Sequence, residues 1–572
     1  MAKLGIALDL GTSGFRGQAI DLEHAGRIIS TAITTRHPLP GANVIDHLHF
    51  ALEVGLSKAH EVVIDAVNRV INNLQIDPAD IVKLAVCGNP IQLSLFQEIE
   101  IRDLAYAGKR KLQALEVIAP KRDAQIIEAP EIRGLTIPPD AFVLIPPAVQ
   151  HEIGADALAM MIQTNMLEMD KISIVTDYGT NNEMALFVDG KIYTGSTAAG
   201  PALEGQHIEY GLLALPGAIS DLEVESIEES TTSCNRFQQM SLHGQTKSSA
   251  IKTYVLDADM QNLPGDTVDA GTGDVITQGE IRAVGITGTG VVALISEGLQ
   301  SKLIQLPRID TADRKIYLSD GIEFNEKDLL EAGKAIGAVR AGHLTLCQEA
   351  GIRPEDIQVA YCSGASGTYV DALKAQKIGM IPPSVKTIYQ VGNTSLAMAR
   401  DIVQDENELW NMKQIADNLR QHHCMFAESK VFEKVYILEL SYWTEGMPLA
   451  QYQKFLKKYG LPPLAEITTI PQVIKTVERD IADLGDMGLR VISDIGQRRT
   501  IMFHSCFGDM ACINECPENA LQMDELKHGF EITINLALCD GVACRRCERA
   551  CKDKFFNLID LITFNPETKS NQ

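Results

Sequence analysis

Seven of the chain's twelve cysteines crowd into Cys506–Cys551, and their spacing is that of metal ligands. In the stretch CFGDMACINECP, Cys506, Cys512, Cys516 and Pro517 fall at the intervals of a C-x2-C-x2-C-x3-C-P run. Such runs hold iron–sulfur clusters through thiolates. The second ligand position is occupied by Asp509. A carboxylate is a harder ligand than a thiolate and binds or releases one iron more readily. The pattern therefore predicts either a [4Fe–4S] cluster with one oxygen ligand or a [3Fe–4S] cluster. A second run, Cys539-x4-Cys544-x2-Cys547-x3-Cys551, offers four thiolates with a widened first gap, and two neighbouring runs suit two clusters. Zinc also accepts four cysteines, but usually from two separated C-x2-C pairs and without the closing proline. The other five cysteines (Cys87, Cys234, Cys347, Cys362, Cys424) are scattered singly, which speaks against a disulfide framework. His422, His423 and Cys424 form a further histidine–cysteine group. Adjacent histidines diverge on any regular element, so these read as packed or solvated side chains.

A second chemistry lies in a repeat. GIALDLGTSGFRGQAID (5–21) and SIVTDYGTNNEMALFVD (173–189) share one layout: an apolar strand, then Asp-x-Gly-Thr, then a second apolar strand ending in Asp. Asp9, Gly11, Thr12 and Ser13 correspond to Asp177, Gly179, Thr180 and Asn181. Glycine lets the backbone approach a ligand, and successive N–H groups in such a turn make a nest for phosphate oxygens. An Asp leaving the strand suits Mg²⁺, which keeps most of its water. One Asp-x-Gly-Thr is simply a good hairpin turn; two with matching flanks point to a nucleotide. Three strand–turn–helix stretches follow: GITGTGVVALI (285–295), a Gly/Thr turn suited to an anion; IQVAYCSGASGTYVDAL, where Gly364, Ser366 and Gly367 suit an adenosine; and YQVGNTSLAMAR, with Gly392 and Asn393.

The elements that position these residues fit a chain of 572 residues with several packing units. A net charge of −24 argues against general nucleic-acid binding, which needs a basic face. Apolar runs stop short of the roughly 18 residues that span a bilayer, and Met1-Ala2-Lys3 leads directly into an apolar strand. The expectation is a cytoplasmic protein with no membrane partner.

The order of motifs, two phosphate hairpins before an adenosine motif, resembles the actin, Hsp70 and sugar-kinase superfamily. Within it, LDLGTSGFRG, VCGNPIQLSLF, PPAVQHEIGADALA, TDYGTNNEMAL, TGSTAAGPALEGQHI, AVRAGHLTL, CSGASGTYVDALKAQKIGMIP and VGNTSLAMAR resemble the reductive activators of corrinoid-dependent enzymes. Many members carry an N-terminal plant-type ferredoxin domain. This chain has C-terminal cysteines instead, as in the type serving methylamine methyltransferases in methanogenesis. The resemblance implies an α/β fold: a two-lobed actin/Hsp70-like (ribonuclease H-like) nucleotide domain, then a small α+β bacterial-ferredoxin-like domain. By the same comparison lobe I covers 1–165 and lobe II covers 166–465, with the polar, poorly periodic 220–280 as an insertion or sheet-edge elaboration. An apolar period of three to four predicts a connecting helix over 466–500, and the ferredoxin-like unit follows over 501–572.

The resemblance further implies ATP, Mg²⁺ and two iron–sulfur clusters, with Asp9 and Asp177 as the residues of ATP turnover. In two-cluster ferredoxins the fourth Cys of each run crosses to the other cluster. Carried over, one cluster takes Cys539, Cys544, Cys547 and Cys516; the other takes Cys506, Cys512 and Cys551 with Asp509. The implied partners are a corrinoid protein and an external low-potential electron donor, and the implied reaction is reduction of Co(II) to Co(I). The alternatives are an activator of a 2-hydroxyacyl-CoA dehydratase, expected on a shorter chain, and a small-molecule kinase, which has no use for the cysteines.

Overall fold

The computed structural model describes residues 3–106, 109–149, 153–179, 181–197, 202, 207–226, 249–419, 426–552 and 557–563. Its backbone divides into two compact units, one of residues 1–163, 394–421 and 483–572, the other of residues 164–393 and 422–482.

In the first unit, Leu4–Leu10 (β1), Phe15–Asp21 (β2) and Arg27–Thr34 (β3) form an antiparallel meander, and β1 also pairs in parallel with Ile81–Gly88 (β4). Every residue of β1 is buried, as expected for a central strand covered on both faces. Val44–Val54 (α1) and Leu56–Asn73 (α2) follow β3, and Pro90–Gln97 (α3) follows β4. The sheet order is Leu489–Ile492, β3, β2, β1, β4, Phe142–Ile145, Gln125–Glu128. Residues 394–421, expected in the second lobe, belong to this unit. The reason is burial: the helix Thr394–Gln404 lays Leu396, Met398, Ala399, Ile402 and Val403 against β1 and β4, and Gly5 leaves room there for Val403.

The second unit repeats the plan. Ser173–Asp177, Asn182–Val188 and Lys191–Thr197 form an antiparallel meander, with Ser173–Asp177 parallel to Val359–Ser363 and that strand parallel to Thr387–Gln390. The described residues of 220–280 build most of a separate five-stranded sheet with Ala218–Ser226, Ser249–Leu256, Asn262–Asp269, Val275–Thr277 and Gly285–Ile286. The most polar part of that stretch, 227–248, lies outside the described residues, as do His422, His423 and Cys424.

Residues 466–500 do not form the connecting helix. Gln472–Lys475 pairs in parallel with Thr387–Gln390, and Leu489–Ile492 pairs in parallel with β3. The helical period is broken by Pro471, Gly485 and Gly488, and Gln472–Lys475 and Leu489–Ile492 each carry β-branched residues. Open sheet edges supply backbone partners that outweigh a weak local preference.

The cysteine-rich segment groups with the first unit. Its sheet runs Arg498–Phe503, Gly529–Asn535, Leu521–Leu526, the last two forming a hairpin between the cysteine runs. The Gly41 N–H donates to the Cys539 carbonyl at 2.8 Å, Arg499 pairs with Glu61 at 2.8 Å, and Arg545 pairs with Glu53.

Candidate functional site

The first hairpin turns between Leu10 and Phe15, with Asp9 opposite Arg16 in register. Asp9 is buried, and Arg16 Nη1 lies 3.2 Å from its Oδ2. A Cβ on Gly11 would lie 2.9 Å from the Gly14 carbonyl, so the turn tolerates no side chain there. The hairpin is tied down on two sides. Phe15 N–H donates to Thr34 Oγ1 at 2.8 Å, and Asn89 Nδ2 donates to Thr12 Oγ1 at 3.1 Å. Asn89 is also the N-cap of α3, accepting from the N–H groups of Ile91 and Gln92, with Pro90 at the first helical position. That is a favoured way to start a helix, so Asn89 fixes Thr12 to a helix N-terminus. Sequence reasoning did not single out Asn89; Asn-Pro at a strand–helix boundary was the available signal. Ser13 is buried as well.

In the second unit, Asp177 ends its strand opposite Ser363. Ser363 Oγ donates to Asp177 Oδ2 at 3.0 Å. Gly364 follows with φ +80°, and a Cβ there would stand 2.5 Å from Asp177 Oδ1. The Gly364 N–H donates to the Gly392 carbonyl at 2.9 Å, and the Asn393 N–H to the Asp480 carbonyl at 2.8 Å. Gln390 Nε2 reaches the carbonyls of Gly367, Thr368 and Val370. The second Asp-x-Gly turn and the Gly-rich turns that follow are thus linked: Asp177 meets Ser363 and Gly364, Gly364 bonds to Gly392, and Gln390 holds Gly367. Ser366 and Gly367 lie on the short helix Gly364–Tyr369. Gly179 and Asn181 flank the turn; Thr180 lies outside the described residues. Beneath it, buried His343 and Thr176 share a hydrogen bond of 2.9 Å, and burial lowers His343 to about 4.

The cysteine runs are built alike. Cys506 and Cys539 each accept a 3.4 Å N–H bond from the glycine two residues on, Gly508 and Gly541. Met510 and Arg545 both take left-handed backbone at φ 59° and 43°, opening the short helices that carry Cys512 and Cys547. Ala520 N–H donates to Cys516 Sγ at 3.3 Å. Aligned this way, Asp509 stands where the second run has Cys544. Asp509 is exposed, and its Oδ1 accepts the Ala511 N–H at 3.1 Å.

Burial pushes Cys539 and Cys547 up to about 12, so cluster assembly there must displace protons. Cys512, raised first by burial, also feels Cys506 and Cys551. Cys539 feels Cys547 and Cys516, and Cys547 feels Cys516, Cys544 and Cys512. Among the described residues no three or more His, Cys, Asp or Glu side chains gather as a ready-made metal site. The donor set, the N–H bonds to sulfur and the crossed neighbourhoods of the thiols nevertheless fit two iron–sulfur clusters.

The duplicated meanders with paired Asp-Gly turns define the class as an α/β protein of the actin, Hsp70 and sugar-kinase type. Residues 171–453 match the family model described as the C-terminal domain of RACo, the ASKHA domain, and residues 4–169 match the RACo middle region. The chain belongs to the RACo family, the group its motifs resemble. It is 47% identical over 522 residues to the [Co(II) methylated amine-specific corrinoid protein] reductase of Methanosarcina barkeri, covering 91% of this chain and 92% of that one. It is 26% identical over 384 residues to the corrinoid activation enzyme RamQ of Eubacterium limosum, covering 66% of this chain and 60% of that one. A solved reductive activator for a corrinoid, iron–sulfur protein aligns with TM-score 0.59 at 22% identity, over 77% of this chain and 66% of that one, a likeness of fold. Among the described residues no helix is long and apolar enough to cross a membrane.

Proposed function

We propose that this chain is an ATP-hydrolysing reductive activase that returns the cobalt of a methylamine-type corrinoid protein from Co(II) to Co(I). The observation that carries the reading is its 47% identity, over 91% of its length, to a reductase of that substrate. One electron from an external low-potential donor is consumed per cobalt reduced. Bound iron–sulfur clusters would supply the one-electron carriers, held by Cys539, Cys544, Cys547 and Cys516 in one case and Cys506, Cys512, Cys551 and Asp509 in the other. Asp509 is assigned as a ligand because it stands at the place of Cys544.

Asp9 in the first unit and Asp177 in the second are each suited to hold Mg²⁺ through water, as that ion prefers. The turns Gly11–Ser13 and Gly179–Asn181 would offer backbone N–H groups to phosphate oxygens. Gly364, Ser366, Gly367, Gly392 and Asn393 would receive the nucleoside, since glycine admits close backbone approach. A one-electron step loses about tenfold in equilibrium per 59 mV of mismatch, and Co(II) is hard to reduce. Nucleotide binding can shift a conformational population only by differential affinity. The docked corrinoid protein must therefore bind differently in the two nucleotide states, altering cobalt ligation in one of them.

The test is anaerobic, iron-loaded protein mixed with the Co(II) form of a methylamine-type corrinoid protein and titanium(III) citrate. Co(I) absorbance should rise only with ATP present. No rise with ATP, in protein that holds iron, overturns the reading.

A further inference from the structure

A buried polar chain in the first unit runs through Leu39, His37, Gln92 and His47. The Leu39 N–H donates to His37 Nδ1 at 3.1 Å, which makes Nδ1 an acceptor and leaves the ring proton on Nε2. His37 Nε2 lies 3.1 Å from Gln92 Oε1, and Gln92 Nε2 lies 2.8 Å from His47 Nδ1. Each group donates onward in one direction, and this order alone satisfies every pair. The imidazoles stack with centroids 3.8 Å apart, and Phe15 meets His37 edge-on at 5.1 Å. His37, His47 and Gln92 are all buried. The chain ends on His47 Nε2, which is buried without a well-formed hydrogen bond; hydrogen bonding to the Gly41 backbone only partly offsets the fall to about 3 that burial imposes.

Two points along this chain have neighbours that matter. Gln92 sits in the first turn of α3, whose N-cap Asn89 holds Thr12 of the phosphate hairpin. Gly41 N–H donates to the carbonyl of Cys539, and Gly541 packs against Gly41 and Pro40. A buried donor short of a well-formed bond is unfavourable, so His47 gains if Gly41 moves toward it. That movement would pull on the Cys539 loop.

We propose that Gln92 is a positioning residue, holding His37 and His47 so that the state of the Thr12 hairpin is transmitted through Gly41 to the Cys539 loop. The inference rests on the nucleotide-binding part of the function proposed above. It assigns a role to residues that neither touch the expected phosphates nor ligate iron. Gln92→Met keeps the length of the side chain and removes its hydrogen bonds. His47→Phe keeps the stack on His37 and removes the ring N–H.

The experiment is hydrogen–deuterium exchange on full-length, iron-loaded protein, with and without saturating AMPPNP, following peptides over 36–43 and 536–545. Site-to-site couplings typically amount to about 5-fold or more in equilibrium, so exchange in 536–545 of the parent should change by at least about that factor. In Gln92→Met and His47→Phe the change should largely vanish, while AMPPNP affinity and iron content stay at parent values. A parent that binds AMPPNP but shows no change in 536–545 overturns the proposal, as do variants that respond like the parent. If both variants lose iron and melt early, Gln92 is a packing residue and the proposal fails. Failure of cobalt reduction is a separate result, since this readout needs no corrinoid protein.

Discussion

Replacing Gly364 by alanine should damage nucleotide turnover through Asp177, and the size of the effect follows from geometry. The residue sits at φ +80°, where an L side chain is strained by roughly 1–2 kcal/mol. The added Cβ would stand 2.5 Å from Asp177 Oδ1, whereas ordinary contact begins at 3.4 Å. The carboxylate must therefore move by about 0.9 Å, the difference of those two distances, or rotate away from Ser363 Oγ. A displacement near 1 Å in a positioned group costs about 10²-fold in rate. Gly351 provides the control: its φ is +69° at the end of the helix Glu326–Ala350, and its Cβ would meet nothing within 4 Å. Gly351→Ala should thus share the backbone strain and leave the chemistry alone. Steady-state ATPase rates and melting temperatures of both variants separate the two effects. Similar melting temperatures with ATP turnover reduced about 10²-fold in Gly364→Ala only is the expected result. Equal ATPase rates in the two variants would refute the placement of Asp177 in the nucleotide site.

Asp9→Ala and Asp177→Ala should each abolish ATP turnover and cobalt reduction while iron content stays at the parent value; parent-rate hydrolysis in both would dismiss the paired hairpins. Mild oxidation should convert one cluster to a [3Fe–4S] form visible by EPR, Asp509→Cys should suppress that conversion, and Asp509→Ala should favour it. Identical spectra in all three proteins would show that Asp509 does not bind iron and only caps Ala511. His343, lowered by burial from 6.5 to about 4, binds a proton more readily when unfolded, so its contribution is intact above pH 6.5 and is lost as pH falls toward 4. That loss amounts to roughly 3 kcal/mol in all. Denaturant titrations of His343→Leu should show a shallower fall in stability across this window, and an unchanged slope would contradict the assignment.

The chemistry visible in the sequence was local. Asp9-x-Gly11-Thr12 and the cysteine spacings depend on neighbours a few residues away, because a hairpin turn and a ligand loop are set by short-range backbone geometry. The repeat in 173–189 was legible for the same reason, and so was the hairpin between the cysteine runs. Other features depended on partners distant in sequence. Gln472–Lys475 and Leu489–Ile492 became strands because Thr387–Gln390 and β3 offered open edges, which no periodicity within 466–500 reports. The described parts of the 220–280 stretch built a sheet because pairing satisfies their backbone. Thr394–Gln404 returned to the first unit because β1 and β4 needed an apolar cover. The bonds joining Leu39, His37, Gln92 and His47 could not be read from the chain at all: Gln92 lies 55 residues from His37 and 45 from His47, and only burial, which removes water as the alternative partner, makes these polar groups seek one another.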